Sequence, residues 1–160
     1  DGPDAPWQSV NFTEVKATGF QAQLTLNFRQ IVPTQRILKS FNASYNYLFQ
    51  DKDIDSSVES KYSLEYLRHK LVANLQLNIV SRLDLGINFR WQDRRGIYTD
   101  FDGTVKEYSP YSVVDARLSW TAPKYKLYLE ANNIFDKNYI DYGCVPQPGT
   151  WLIAGLSVEL

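Results

Sequence analysis

Methionine is absent from this chain of 160 residues, and cysteine and histidine occur once each. A lone Cys144 forms no internal disulfide, and a free thiol in a loop is its plain reading. With His69 as the single histidine, a His-based triad has one possible base, and no Gly-x-Ser-x-Gly elbow accompanies it. Gly-rich phosphate loops and paired metal-ligand histidines are missing too, so no enzyme, cofactor or metal is expected. Charge is nearly balanced, 17 Lys and Arg against 18 Asp and Glu, which gives no general attraction to nucleic acid or to acidic membrane surfaces. No apolar run approaches the roughly 18 residues of a transmembrane helix. That excludes a helical span and leaves open a membrane barrel, whose strands are apolar on one side only. The chain opens at Asp1-Gly2-Pro3-Asp4 with neither a start methionine nor a signal peptide in view, so a processed or excised piece of a longer protein is expected.

What the chain has in abundance is period-two alternation. Phe20, Ala22, Leu24, Leu26 and Phe28 alternate with Gln21, Gln23, Thr25, Asn27 and Arg29. The pattern returns at Phe41 to Phe49, Leu71 to Ile79, Leu83 to Trp91 and Val114 to Trp120. Two further strands carry Leu127, Leu129 and Ala131, then Leu152, Ala154, Leu156, Val158 and Leu160, which makes seven. Val32 to Arg36, Ser81-Arg82 and Ala122 to Lys124 read as short turns, whereas 51–60, 99–107 and 141–148 are longer and more polar. Short turns on one rim and long loops on the other describe an antiparallel up-and-down transmembrane β-barrel. Several strands exceed the 9–11 or so residues that cross a bilayer, 61–80 most of all.

A soluble sandwich or lipocalin-like barrel would alternate as well. Two features favour the membrane. The polar face is rich in Asn, Gln, Thr and Ser, which suit a wet or plugged lumen better than a solvent face carrying Lys and Glu. Aromatic residues also gather near strand ends, with Phe28, Phe41, Trp120 and Tyr125 toward the short turns and Phe20, Phe49, Trp91 and Tyr111 toward the long loops, as membrane interfaces favour. Lumen parity then falls on Arg90, Asp115, Arg117, Lys126 and Glu130, four of which (Arg90, Asp115, Arg117, Glu130) are expected to form a cross-strand charge ladder. At the long-loop mouth, Tyr98, Asp100, Phe101, Asp102, Tyr108, Tyr111, Tyr139 and Tyr142 are the candidate substrate contacts, since pockets mix rings with a few placed polar groups. Interface belts and an ordinary Asp102-Gly103 turn account for the same residues structurally, and Asp100, Asp102 and Glu107 do not have the spacing of a calcium loop.

Ala131-Asn132-Asn133-Ile134-Phe135-Asp136-Lys137-Asn138-Tyr139 resembles the N-L-F-D-K-x-Y phrase in the penultimate strand of TonB-dependent outer-membrane receptors. Val145-Pro146-Gln147-Pro148-Gly149-Thr150-Trp151 is similar to the V-P-x-P-G-R-x phrase before their last strand, with Thr150 where arginine is usual. Gly19-Phe20-Gln21 and Arg68-His69-Lys70-Leu71 resemble the openings of two earlier strands, and Gly155, Val158 and Leu160 follow the terminal assembly signal of outer-membrane barrels. The family motif thus rests on Asn133, Phe135, Asp136, Tyr139, Pro148 and Gly149. The resemblance implies that residues 1–160 are the C-terminal portion of a barrel of about 22 strands, with the plug and TonB box missing from this stretch. It implies a multi-pass protein of the bacterial outer membrane that takes up a scarce nutrient such as a siderophore, cobalamin, haem or glycan. The spelling around Pro148 and Trp151 leans toward cobalamin- and siderophore-type members. Implied partners are outer-membrane lipid, the remainder of the barrel and plug, TonB acting through that plug, and a BAM-type assembly machinery. The rival reading is a complete small barrel of about eight strands with an adhesion or structural role, in which Trp7 to Thr13 adds a strand.

Overall fold

Alternating residues become strand here because a pleated backbone sends successive side chains to opposite faces. The structure, a computed structural model, describes residues 14–53 and 66–159. Its main sheet has seven antiparallel strands: β1 (Glu14–Asn27), β2 (Leu38–Asp53), β3 (Tyr66–Val80), β4 (Leu83–Arg95), β7 (Tyr111–Thr121), β8 (Tyr125–Asn132) and β9 (Trp151–Val158). They lie side by side in chain order, so β1 and β9 form the two edges. Between β4 and β7 a small hairpin of β5 (Ile97–Thr99) and β6 (Val105–Glu107) projects from the long-loop rim. Trp7 to Thr13 and Leu160 lie outside the described residues, as do 54–65, which include most of the loop read at 51–60 and the first residues of the tall segment read at 61–80.

Seven strands are found where the alternation placed them, with two changes at their ends. The first strand stops at Asn27, and Phe28–Ile31 form a single helical turn, α1, closed by the Val32 N–H on the Phe28 carbonyl at 2.8 Å. Phe28 and Arg29 are therefore part of a ten-residue connection, from Phe28 to Ile37, rather than of a strand and a five-residue turn. The stretch read as the loop 99–107 is mostly the β5–β6 hairpin. The other short turns are as expected. Arg82 takes a left-handed φ of 73° between β3 and β4, and the Ala122 N–H bonds the Tyr125 carbonyl at 2.9 Å between β7 and β8.

Register sorts the two faces cleanly. Leu24 faces Ala43, Ala43 faces Ala73, Leu75 faces Ile87, Ile87 faces Ala116 and Leu118 faces Leu129, all of one parity. Nothing among the described residues covers this apolar face, and Leu24, Leu129, Leu152 and Leu156 are exposed. An aromatic row crosses it near the long loops: Phe20 to Tyr45, Tyr45 and Tyr47 to His69, and His69 to Trp91, with ring centroids 5.0–6.1 Å apart. The Tyr45 hydroxyl and His69 Nδ1 share a hydrogen bond of 2.7 Å. Trp120 stands beside Leu83 and Leu127 at the other rim. From Leu83 to Trp91 is about 26 Å along the strand at its usual rise, which matches an apolar band about 25 Å tall between two girdles. Tyr111 leaves the girdle assigned to it, because it shares parity with Val113 and Asp115 and points to the polar face.

On that polar face, Gln21 is paired with Asn46, Thr25 with Asn42, and Asn74 with both Asn42 and Asn88. Farther along the sheet the Arg117 guanidinium lies 3.9 Å over the Tyr128 ring, and Tyr128 in turn lies on its partner Gly155. A Cβ at 155 would collide with that ring. The glycine of the terminal signal is thus a seat for an aromatic side chain in the neighbouring strand. Of the expected charge ladder, only Arg117 to Glu130 pairs, at 3.4 Å. Asp115 and Arg90 are used elsewhere, because Asp115 sits opposite Asn88 and Arg90 opposite Val113.

With the apolar face in lipid, Ile87→Arg at the middle of β4 is expected to destabilise the assembled sheet by about 2–4 kcal/mol, while Gln23→Arg, exposed on the polar face of β1, leaves it within about 0.5 kcal/mol. Urea titration of the protein in lipid vesicles, followed by the gel shift between folded and unfolded forms, checks this. Equal effects at both positions would overturn the assignment of faces.

Candidate functional site

Burial in this molecule is concentrated at one end. Among the described residues the buried ones are Gln92, Tyr108, Tyr111, Val113 and Asn133, all at the long-loop rim. They are covered by the chain that leaves β8. The Ile134 N–H makes a last bond to the Val114 carbonyl at 2.9 Å, and the segment 133–143 then turns across the polar face of β7 and β4.

Asn133 and Asp136 make that turn possible. Both have left-handed φ, 50° and 51°, a conformation that Asn and Asp accept more readily than most residues. The Asn133 N–H donates to Asp115 at 2.9 Å, and its side-chain amide donates to the carbonyls of Lys137 and Pro148 at 2.9 and 3.2 Å. Its Oδ1 accepts the Lys137 N–H at 2.9 Å, and its carbonyl accepts the Thr150 hydroxyl at 2.7 Å. Asp136 accepts the Thr150 N–H at 3.0 Å and packs so closely on Gly149 that a Cβ there would not fit. Asn133, Asp136, Pro148 and Gly149 therefore tie the exit of β8 to the entry of β9. Thr150, where the family phrase has arginine, completes this tie with a short hydroxyl. Phe135 projects outward, largely exposed.

Beyond the tie, the loop is held to the inner wall by side chains. The Tyr139 ring stacks on Tyr111 with centroids 4.2 Å apart, and its hydroxyl accepts from Arg90 at 3.3 Å. Asp141 accepts from Arg94 at 3.3 Å and from the Tyr111 hydroxyl at 2.9 Å. Tyr111 also bonds Gln92, and the Tyr108 hydroxyl accepts the Gly143 N–H at 2.8 Å. Arg94 sits 5.9 Å from the Tyr108 ring and 5.6 Å from that of Tyr142, a cation between two π faces.

A cavity of about 270 Å³ opens beside this network, lined by Tyr98, Tyr108, Ser109, Pro110, Tyr111, Lys137, Asn138, Tyr139 and Ile140. Four of the candidate contacts read from the sequence, Tyr98, Tyr108, Tyr111 and Tyr139, converge on it. Tyr142 stands next to Arg94 with most of its surface exposed. Asp100, Phe101 and Asp102 are not in the cavity, for they build the tip of the β5–β6 hairpin. Asp100 pairs with Lys106 and accepts the Phe101 N–H at 2.7 Å, while Asp102 accepts the Thr104 N–H and hydroxyl at 2.9 and 2.5 Å. The side-chain bonds to Lys106 and to Thr104, respectively, are the main reason both carboxyls ionise below the usual aspartate range. Lys137, Asn138, Arg94 and Asp141 are site residues that the sequence reading did not single out. Parity marks Arg94, since Arg90, Gln92 and Arg94 continue one face of β4. The others are placed by an irregular loop that carries no periodic signal.

Asn133→Ala removes three side-chain bonds at a buried position and leaves partners unsatisfied, so the tie is expected to weaken by about 1–3 kcal/mol. Faster protease cleavage within 137–148, with β1–β4 still protected, is the expected result. At the hairpin the carboxylates stabilise the fold while ionised. That contribution is intact above the ordinary value of 3.8 and is lost as pH falls through the lowered value of the folded state. Amide exchange at Thr104 is expected to accelerate only below about pH 4, and Asp102→Asn to remove most of that dependence.

A family model described as TonB dependent receptor-like, beta-barrel matches residues 1–134. The matched span contains β1 through β8, so the likeness extends over most of the sheet. It ends where the phrase beginning at Asn133 starts, and the C-terminal phrases add to it from nearly separate residues. An antiparallel sheet in chain order, apolar on one face and amide-rich on the other, is the wall such a barrel requires. Members of this family are transporters of the bacterial outer membrane rather than enzymes, and this chain belongs to the TonB dependent receptor-like β-barrel family.

Proposed function

We propose that residues 14–159 form a contiguous arc, from the C-terminal portion, of the wall of a larger barrel of about 22 strands, and that the whole protein imports a scarce nutrient by coupling to TonB through a plug inside the barrel. The observation that carries this reading is the match over residues 1–134 combined with a seven-stranded sheet whose edges, β1 and β9, lie apart. Unpaired edge backbone costs several kcal/mol per group in lipid, so closure by further strands supports a large barrel over a small one. The hairpin β5–β6 and the loop 133–150 then face the medium and the short turns face the periplasm. Tyr98, Tyr108, Tyr111 and Tyr139 offer their rings to an incoming solute, with Tyr142 beside them. Asp100 and Asp102 act on it only through the hairpin tip. Among nutrients, siderophores and cobalamin fit the spelling around Pro148 and Trp151, and haem or glycans share the same route. Gly155, Val158 and Leu160 serve as the signal read by a BAM-type assembly machinery.

Deleting the gene and measuring growth on media limited in turn for iron chelates, haem, cobalamin and glycans tests this. One nutrient is expected to fail in the deletion strain and, equally, in a strain lacking TonB. Growth restored by the intact gene without functional TonB would sink the coupled-import reading.

A further inference from the structure

The cavity at the mouth has an uneven charge. Lys137 is the one charged side chain in its lining, and its ammonium makes no ion pair among the described residues. Its backbone is fixed, because the Lys137 N–H is bonded to Asn133 Oδ1 and its carbonyl to the Asn133 amide. Behind the lining stand two more cations. Arg90 reaches the Tyr139 hydroxyl and Arg94 reaches Asp141, and the buried Nε of each has no hydrogen-bond partner. Asp141 is the carboxylate in direct contact with this network, and it is taken by Arg94 and Tyr111. Two further carboxylates nearby, Asp115 and Asp136, are spent on the backbone N–H groups of Asn133 and Thr150, which leaves Lys137 as the charge presented to a site walled by the rings of Tyr98, Tyr108, Tyr111 and Tyr139.

Resting on the import reading, we propose that this cavity is a recognition subsite for a planar ring bearing a carboxylate, the ring packing on the tyrosine walls and the anion meeting Lys137. A volume of about 270 Å³ holds one such ring and excludes a macrocycle. The subsite therefore grips a substituent of the solute rather than the whole of it. Aromatic walls favour a flat group over a branched aliphatic one. An anion beside the exposed, unpaired Lys137 ammonium forms a charge-assisted hydrogen bond that a neutral isostere cannot form. Tyr111 and Tyr139 are already locked, through Gln92, Asp141 and Arg90, so their rings need little ordering when the guest enters.

Benzoate and its neutral isostere benzamide are the probes, added to the full-length protein in detergent and followed by saturation-transfer NMR. Benzoate is expected to bind in the millimolar range and benzamide at least tenfold more weakly. Lys137→Gln should weaken benzoate about tenfold, the effect of losing one charge-assisted bond, and Lys137→Arg should recover most of the loss. The heat-dependent gel shift of each variant verifies that the barrel is assembled, and Lys124→Gln in the turn between β7 and β8, at the opposite rim, serves as the unaffected control. Equal binding of benzoate and benzamide, an unchanged affinity in Lys137→Gln, or no benzoate binding to the wild type overturns the subsite. Any of these results with TonB-dependent growth intact removes the subsite alone, whereas loss of TonB dependence removes the import reading whatever benzoate does.

Discussion

A sheet with one apolar and one amide-rich face is stable only where the apolar face is kept from water, and the rest of this structure depends on that. Leu24, Ala43, Ala73, Ile87 and Leu129 share a face that no layer covers among the described residues. In water such a face would be an aggregation site of many hundreds of Å². In lipid it costs nothing, and the backbone bonds of the ladder satisfy the polar groups that hydrocarbon cannot. The aromatic row from Phe20 to Trp91 then marks where lipid gives way to headgroups, and strands β1 to β4 continue beyond it into the medium.

Because the sheet itself carries no core, the packing found in a soluble domain is relocated. Tyr108, Tyr111, Val113 and Gln92 are buried by the segment after Asn133, which folds inward at the point where β8 leaves β7. β8 and β9 are eight residues each, against 13 to 16 for β1 to β4. The loop thus supplies, on the inner side, the cover that a taller β8 would have supplied in the wall. Where β-ladder bonding stops, side chains take over: Asn133 with its amide, Asp141 with its carboxylate, Tyr139 with its ring.

The strands were legible in the sequence because alternation is a local signal, repeated at Phe20, Phe41, Leu71, Leu83, Val114, Leu127 and Leu152 and tolerant of errors at the ends. The family was legible because Asn133 and Asp136 take a left-handed φ and Gly149 has no room for a Cβ against Asp136, so their spelling is constrained. What the sequence hid has physical reasons. Tyr111 looks like a girdle residue by its nearness to a strand end, and only the register beside Gln92 shows that it faces inward. Arg90 and Asp115 share a parity, yet a two-residue offset in register sends one to Tyr139 and the other to Asn133. The hairpin β5–β6 is too short for periodicity to reveal it, and the contacts of Lys137, Asn138 and Asp141 depend on a loop path that no repeat encodes.

The tie at Asn133 also makes the mouth depend on strands far apart in sequence. Asp115, which receives its N–H, lies on β7, and Pro148, which receives its amide, stands at the threshold of β9. The bond to Asp115 needs β7 and β8 in register and the bond to Pro148 needs β9 beside β8, so ladder pairing offsets the entropy of closing this loop. Arg90 and Arg94, on β4, hold the rest of the loop through Tyr139 and Asp141. The ordered mouth therefore draws on four strands at once, β4, β7, β8 and β9, and a slip in the register of any one of them would undo it.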